Sequence, residues 1–341
     1  MIPESSRRAR IEVLFDQCSD LPPEQRGKFL EVAVAGDADL RREVEALLAS
    51  ADRAESTGRL ERVVAAAFDL PRASSGTPAP GDRYELLEKL GAGGMGVVYR
   101  ARDRRSGEHV ALKFLPESVA EDSVLKRRFH REARAAAALE HPNIGAIRGV
   151  EESGEGRLFI VMPFYGGGTL KQRIAAGPLP VAEAVRCAVQ VAAGLALAHG
   201  WGIVHRDIKP ANLIFADDGV IKILDFGIAK VGGEKLTHTG LVLGTLAYMS
   251  PEQAAGGTVD HRTDLWALGV VLHEMLAGRP PFAARSIEQL FREVRFGEPP
   301  LVRATRPEVP ETLQAVVTRL LQRDPERRYP DALSVAAALQ A

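Results

Sequence analysis

IVHRDIKPANLIF, residues 203–215, places an acid, a cation and an amide in one short loop: Asp207, Lys209 and Asn212, with Pro210 stiffening the backbone between them. Side chains of these three types at this spacing can orient a hydroxyl nucleophile, neutralise a moving phosphoryl charge and bind a metal ion. Eighteen residues after Asp207, IKILDFG (residues 221–227) sets Asp225 at the end of an apolar, strand-like run. An isolated Asp-Phe-Gly is often only a turn. A second carboxylate following the first loop at this distance makes a divalent-metal site the sharper reading.

Two stretches earlier in the chain extend the pattern. LGAGGMGVVY, residues 90–99, contains G-x-G-x-x-G at Gly91, Gly93 and Gly96, glycines that let backbone N–H groups approach phosphate oxygens. Read alone, the string also fits a dinucleotide fingerprint or an ordinary glycine hairpin. The dinucleotide fingerprint must open a helix, and Gly96 is followed instead by β-prone Val-Val-Tyr. VALKFL, residues 110–115, carries Lys113, which on a strand beneath a phosphate-covering hairpin can pair with nucleotide phosphates if a carboxylate holds it. Glu132, in the helix-patterned FHREARAAAALE (residues 129–140), is the candidate partner. Only nine of the 44 basic residues are lysines, so lysine at 113 and 209 is a selective choice.

The rest of the 341 residues sets these motifs in context. The length suits a little over two domains of about 150 residues. A formal net charge of -1 excludes nucleic acid or an anionic membrane as the main partner. Cys18 and Cys187 cannot supply a disulfide framework or a multi-thiolate metal site, and they suit a reducing, cytoplasmic compartment. The start does not read as a secretory signal, and the most apolar stretch, residues 188–204, falls short of the roughly 20 apolar residues of a spanning helix. No membrane segment is therefore expected in this chain. Residues 1–70 carry helix-period patterns, 71–81 (PRASSGTPAPG) read as a linker, and 82–341 change to β-like runs at 84–90, 97–102, 109–114, 144–151 and 157–162, with a helix pattern over 118–140. Helical patterns then dominate from residue 169 onward.

Taken in order, these motifs resemble the bacterial eukaryotic-like (Hanks-type) serine/threonine protein kinases, over roughly residues 82–341. The resemblance implies an α+β, bilobal fold, with a β-rich lobe about 82–164 and an α-helical lobe about 165–341, behind a small all-α leader. It implies ATP and Mg²⁺ as cofactors, with Mn²⁺ an alternative, and Ser/Thr hydroxyls of proteins as acceptors. Asp207 would be the catalytic base, Lys209 would steady the γ-phosphate, and Lys113 held by Glu132 would bind the α- and β-phosphates. Asn212 and Asp225 would bind the metal. Leu90, Gly91, Ala92, Gly93, Gly94, Met95, Gly96, Val98, Ala111, Met162, Pro163, Tyr165 and Ile214 would line the ATP site, with Tyr165 giving the hinge N–H. Pro163 replaces the usual acidic residue, which is tolerable because only a carbonyl is needed there.

The resemblance extends to GTLAYMSPEQ (residues 244–253), TDLWALGV (263–270) and DPERRY (324–329), where Asp264 would anchor the catalytic loop and Arg328 would pair with Glu252. Thr245 would pack on the catalytic loop, and Thr237 and Thr239 would be phosphorylated, in trans within a possible homodimer, with Arg206 receiving the phosphate. Two other classes stay open: a binding scaffold, disfavoured because Lys113, Asp207, Asn212 and Asp225 are all present, and a small-molecule phosphotransferase, disfavoured by the SPEQ segment. Ala136 is smaller than expected for the packing column it shares with His205 and Phe226.

Overall fold

The computed structural model describes residues 30, 40–41, 80–93, 96–116, 123–154, 156–226, 246–284 and 286–341. The chain divides into two compact units, Met1–Ser75 and Gly76–Ala341. In the first, Leu30 and Leu40 are helical and buried; the helices expected elsewhere in 1–70 lie outside the described residues. So do Gly94, Met95, Thr237, Thr239 and Thr245.

The second unit begins with an antiparallel five-stranded sheet in the order β1-β2-β3-β5-β4. Its strands are β1 (Tyr84–Gly93), β2 (Gly96–Asp103), β3 (His109–Phe114), β4 (Gly149–Glu152) and β5 (Leu158–Pro163). Strand β3 is central, and its sequence HVALKF shows why: Val110, Leu112 and Phe114 alternate with Ala111 and Lys113, so both faces are covered. One face packs Val110, Leu112 and Phe114 with Tyr84, Phe159 and Val161. The other packs Ala111, Leu158, Ile160 and Met162 against Phe129 and Ala133 of helix α1 (Ser123–Ala137).

The fourth strand is shorter than the expected run over 144–151. The Arg148 N–H still donates to Val161 of β5 at 2.8 Å, but the start of the run is bonded elsewhere: Ile144 bridges Ile223, and the Gly145 N–H donates to the Ile223 carbonyl at 2.8 Å. A backbone that has paired with one partner cannot extend a second ladder. A Cβ at Gly145 would also come within 2.5 Å of the end of the Leu224 side chain, which would have to turn aside to admit it.

Below the sheet lie α2 (Leu170–Ala175), α3 (Val181–Gly200), the hairpin β6 (Leu213–Phe215) and β7 (Ile221–Ile223), α4 (Pro251–Ala254), α5 (Arg262–Ala277), α6 (Ile287–Phe296), α7 (Glu311–Leu320) and α8 (Ala332–Gln340). Helices α2 and α4 both start with a capping box, Thr169 with Gln172 and Ser250 with Gln253. Helix α5 is buried almost all round, from Thr263 to His273, and packs against α3 and α7. It ends at Gly278, whose φ of +73° supplies a left-handed cap.

Helix α3 corrects an expectation. It has 20 residues and a mean hydropathy of 1.5, long and apolar enough by length and composition to cross a membrane. Its Cys187, Ala188, Val191, Ala192, Leu195 and Ala198 are buried, and it packs against α5 and α8 as a core helix. A core helix covered on several sides reaches the same composition as a spanning one.

Candidate active site

The catalytic-type loop is held from below by one buried carboxylate. Asp264, on the first turn of α5, accepts hydrogen bonds from the His205 N–H at 2.8 Å, the Arg206 N–H at 2.7 Å and His199 Nε2 at 2.8 Å. Three donors compensate a charge that has no exposed surface. The Arg206 carbonyl accepts from the Gln253 side chain at 3.1 Å, which joins α4 to the same loop. Arg206 takes a left-handed φ of 66°, unusual for a side chain of its size. Its Nε is buried with no partner among the described residues.

With the backbone held there, the loop's side chains converge. Lys209 Nζ lies 2.8 Å from Asp207 Oδ2, and Asn212 Nδ2 donates to the Asp207 carbonyl at 2.9 Å and to Oδ2 at 3.0 Å. His205 connects this group to the next one. Its Nδ1 accepts the Asp207 N–H at 3.2 Å, so its Nε2–H donates to the Leu224 carbonyl at 2.8 Å. Its ring meets Phe226 edge-on at 4.7 Å. Ala136 is buried in the same apolar cluster as Phe226, so the smaller side chain still shares that packing.

Asp225 has a left-handed φ of 66° and sits 2.8 Å from Lys113 Nζ across the lobes. Burial alone would raise the Asp225 carboxyl; the Lys113 charge and hydrogen bond, helped by His205 and Lys209, outweigh it and hold Asp225 below the usual carboxylate range. Glu132, the partner expected for Lys113, lies on α1, and its side chain is outside the described ones.

The residues expected around adenine are placed as follows. Val98 packs against the cluster containing Ala111 and Met162, and Ala111 pairs with Met162 between β3 and β5. Pro163 still belongs to β5, opposite Val110, and Tyr165 follows in the connection to α2. Ile214 lies on β6, two residues after Asn212. Leu90, Gly91 and Ala92 are exposed on β1, and Gly93 pairs with Gly96 at the end of the β1-β2 ladder. Gly96 has φ +113°, and a Cβ there would collide with the Phe114 carbonyl. Glycine is thus required at 96 by the β3 backbone, whereas a Cβ at Gly91 would meet nothing within 4 Å.

Among the described residues, no three His, Cys, Asp or Glu side chains gather as a metal cluster. The donor set nonetheless fits a hard divalent cation. Asn212 spends its amide N–H groups on Asp207, leaving its amide oxygen, and Asp225 adds a carboxylate; small hard cations combine one or two such ligands with substrate phosphates. His199 and Gln253 were not singled out in the sequence. Their signals were a histidine in the last turn of an apolar helix and the capping-box glutamine of SPEQ.

A five-stranded sheet above a helical lobe, with a lysine of the central strand bonded to an aspartate of the lower lobe beside an Asp-Lys-Asn loop, defines a two-lobed phosphotransferase architecture. The protein kinase domain model matches residues 84–340, and the chain belongs to the protein kinase family. It is similar to the serine/threonine-protein kinase PknB of Mycobacterium leprae, 41% identical over 270 residues, covering 77% of this chain and 43% of that one. It is likewise similar to PrkC of Bacillus subtilis, 40% identical, covering 76% and 40%. The chain thus spans about two fifths of the length of these curated relatives. The crystal structure of the Mycobacterium tuberculosis PknI kinase domain matches with a TM-score of 0.60 at 31% identity, over 78% of this chain and 99% of that one.

Proposed function

We propose that the chain is a serine/threonine protein kinase that moves the γ-phosphoryl group of ATP to protein hydroxyls. The observation that carries this reading is the Asp207 carboxylate, held by Lys209 and Asn212 in a loop pinned to Asp264, and linked through His205 to the Lys113–Asp225 pair. In this reading the acceptor hydroxyl gives its proton to Asp207 as its oxygen bonds to the γ-phosphorus, and the bond to the bridging oxygen of ADP breaks. Lys209 stabilises charge on the transferring group, and Lys113 holds the α- and β-phosphates. Asn212 and Asp225 hold the divalent cation, Mg²⁺ or else Mn²⁺, whose charge offsets that of the phosphates.

The substrate class rests on Lys209 two residues after Asp207 and on relatives named for serine and threonine. Thr237 and Thr239 are the proposed autophosphorylation sites, reached in trans between two copies, and the Nε–H of Arg206, without a partner among the described residues, is the proposed donor to the phosphate placed there. A division into leader, linker and kinase domain and a cytoplasmic setting belong to the same proposal. Incubation with labelled ATP and Mg²⁺, followed by intact-mass and peptide mapping, should show phosphate on Thr237 and Thr239 in the parent chain and none in Asp207→Asn. No transfer to itself or to a generic protein acceptor would refute it.

A further inference from the structure

Phe164, between Pro163 and Tyr165 in the connection that links the lobes, is gripped by side chains of the sheet. The Arg100 guanidinium lies over its ring, 4.6 Å from the centroid. The His109 ring meets it edge-on, with centroids 6.4 Å apart and planes at 87°. Arg100 is fixed in turn, donating to Glu88 at 3.0 Å and to His109 Nδ1 at 2.8 Å. A guanidinium only donates, so His109 Nδ1 must accept.

These residues form a row across the sheet. Glu88 stands opposite Arg100, Arg100 opposite Ala111, and His109 opposite Arg102. Residues two apart on a strand share a face, so Arg100 and His109 are on the face of Val98, Ala111 and Lys113. They sit one step outward from Val98 and Ala111. Tyr165 is tied the other way: its Oη accepts the Ala146 N–H at 3.2 Å, and Lys222 Nζ lies 5.8 Å from its ring. Ala146 follows Gly145, which is bonded to Ile223 of the helical lobe. Two consecutive residues are therefore attached to opposite lobes.

We propose that Arg100 is a positioning residue for the nucleotide: by holding Phe164 against the sheet, it fixes the flanking backbone of Pro163 and Tyr165, whose carbonyl and N–H meet the adenine edge. The inference rests on the phosphotransfer reading above. Backbone groups ordered before binding lose less freedom when the ligand arrives, so the grip acts on nucleotide affinity. Affinity gained equally in ground and transition states lowers KM and leaves kcat unchanged.

The test compares the full chain with Arg100→Ala, Phe164→Leu and the double variant, measuring ADP affinity by calorimetry together with KM for ATP and kcat. Each single change should weaken ADP binding and raise KM about two- to fivefold, the scale of one cation–π contact, with kcat unchanged. The double variant should be no weaker than the worse single one, because both remove the same contact. An unchanged KM in Arg100→Ala, additive losses in the double variant, or a fall in kcat alone would overturn the proposal. A parent chain that binds ADP and phosphorylates while the variants match it refutes this inference only; a parent chain that binds no adenine nucleotide refutes the phosphotransfer reading and this inference with it.

Discussion

Asp207 shares its carboxylate between an ammonium and an amide, so its orientation is set by neighbours that remain when its charge is removed. Asp207→Asn should leave the unfolding midpoint nearly unchanged and lower kcat by about 10²–10⁴-fold, the scale of a lost general base, as read from labelled-ATP transfer. A kcat within tenfold of the parent would remove the base role. Asp225 makes a pH prediction. Because its folded value lies below the unfolded carboxylate value of about 3.9, the pair stabilises fully above that value and is lost as pH falls through the lower folded one. Urea titrations from neutral pH into that acid range should show the parent losing more stability than Asp225→Asn. Parallel losses would mean that the ion pair contributes nothing. At this scale the sequence named Asp207, Lys209 and Asn212 as one group, and the structure brings their side chains together. The sequence did not show that Asp225 would meet Lys113, because the two lie 112 positions apart, 225 minus 113, and only the closure of the lobes brings them to 2.8 Å.

Among the elements, the start of α4 is fastened by an ion pair spanning 76 positions. Arg328 donates to both Glu252 oxygens at 2.7 and 2.8 Å and to the carbonyls of Gln322, Arg262 and Arg323, with its side chain fully buried. Glu252→Ala leaves that guanidinium without a counter-charge and should cost about 3–5 kcal/mol, read from the urea midpoint; Glu252→Gln should cost less, since it keeps an acceptor. A loss below about 1 kcal/mol in Glu252→Ala would show that the carbonyls alone satisfy Arg328. In the β1-β2 hairpin, Gly96→Ala combines a disfavoured φ with a collision against the Phe114 carbonyl, and should destabilise by about 1–3 kcal/mol while weakening ADP binding. The Arg328–Glu252 pairing was legible from the motifs. The particular need for glycine at 96 was not, because it comes from a β3 carbonyl 18 positions further along, 114 minus 96.

For the whole molecule, the boundary between compact units falls at Ser75–Gly76, inside the Pro/Gly/Ser-rich stretch. Residues 76–341 contain the sheet, the helical core and every site residue placed by the structure, so this piece should unfold cooperatively alone and retain phosphotransfer. Matching rates for 1–341 and 76–341 would exclude a regulatory effect of the leader on catalysis; a difference would demonstrate one. The sequence by itself determined the order of the two lobes, the Asp-Lys-Asn loop and the strand lysine, because periodicity and short-range spacing are local properties of the chain. Tertiary structure alone decided that residues 144 and 145 bond to β7 instead of extending β4, that the apolar α3 is a core helix, and that Phe164 and Tyr165 are tied to opposite lobes. Each of these depends on which distant backbone or side-chain group occupies the neighbouring space, and that is settled only when the chain packs.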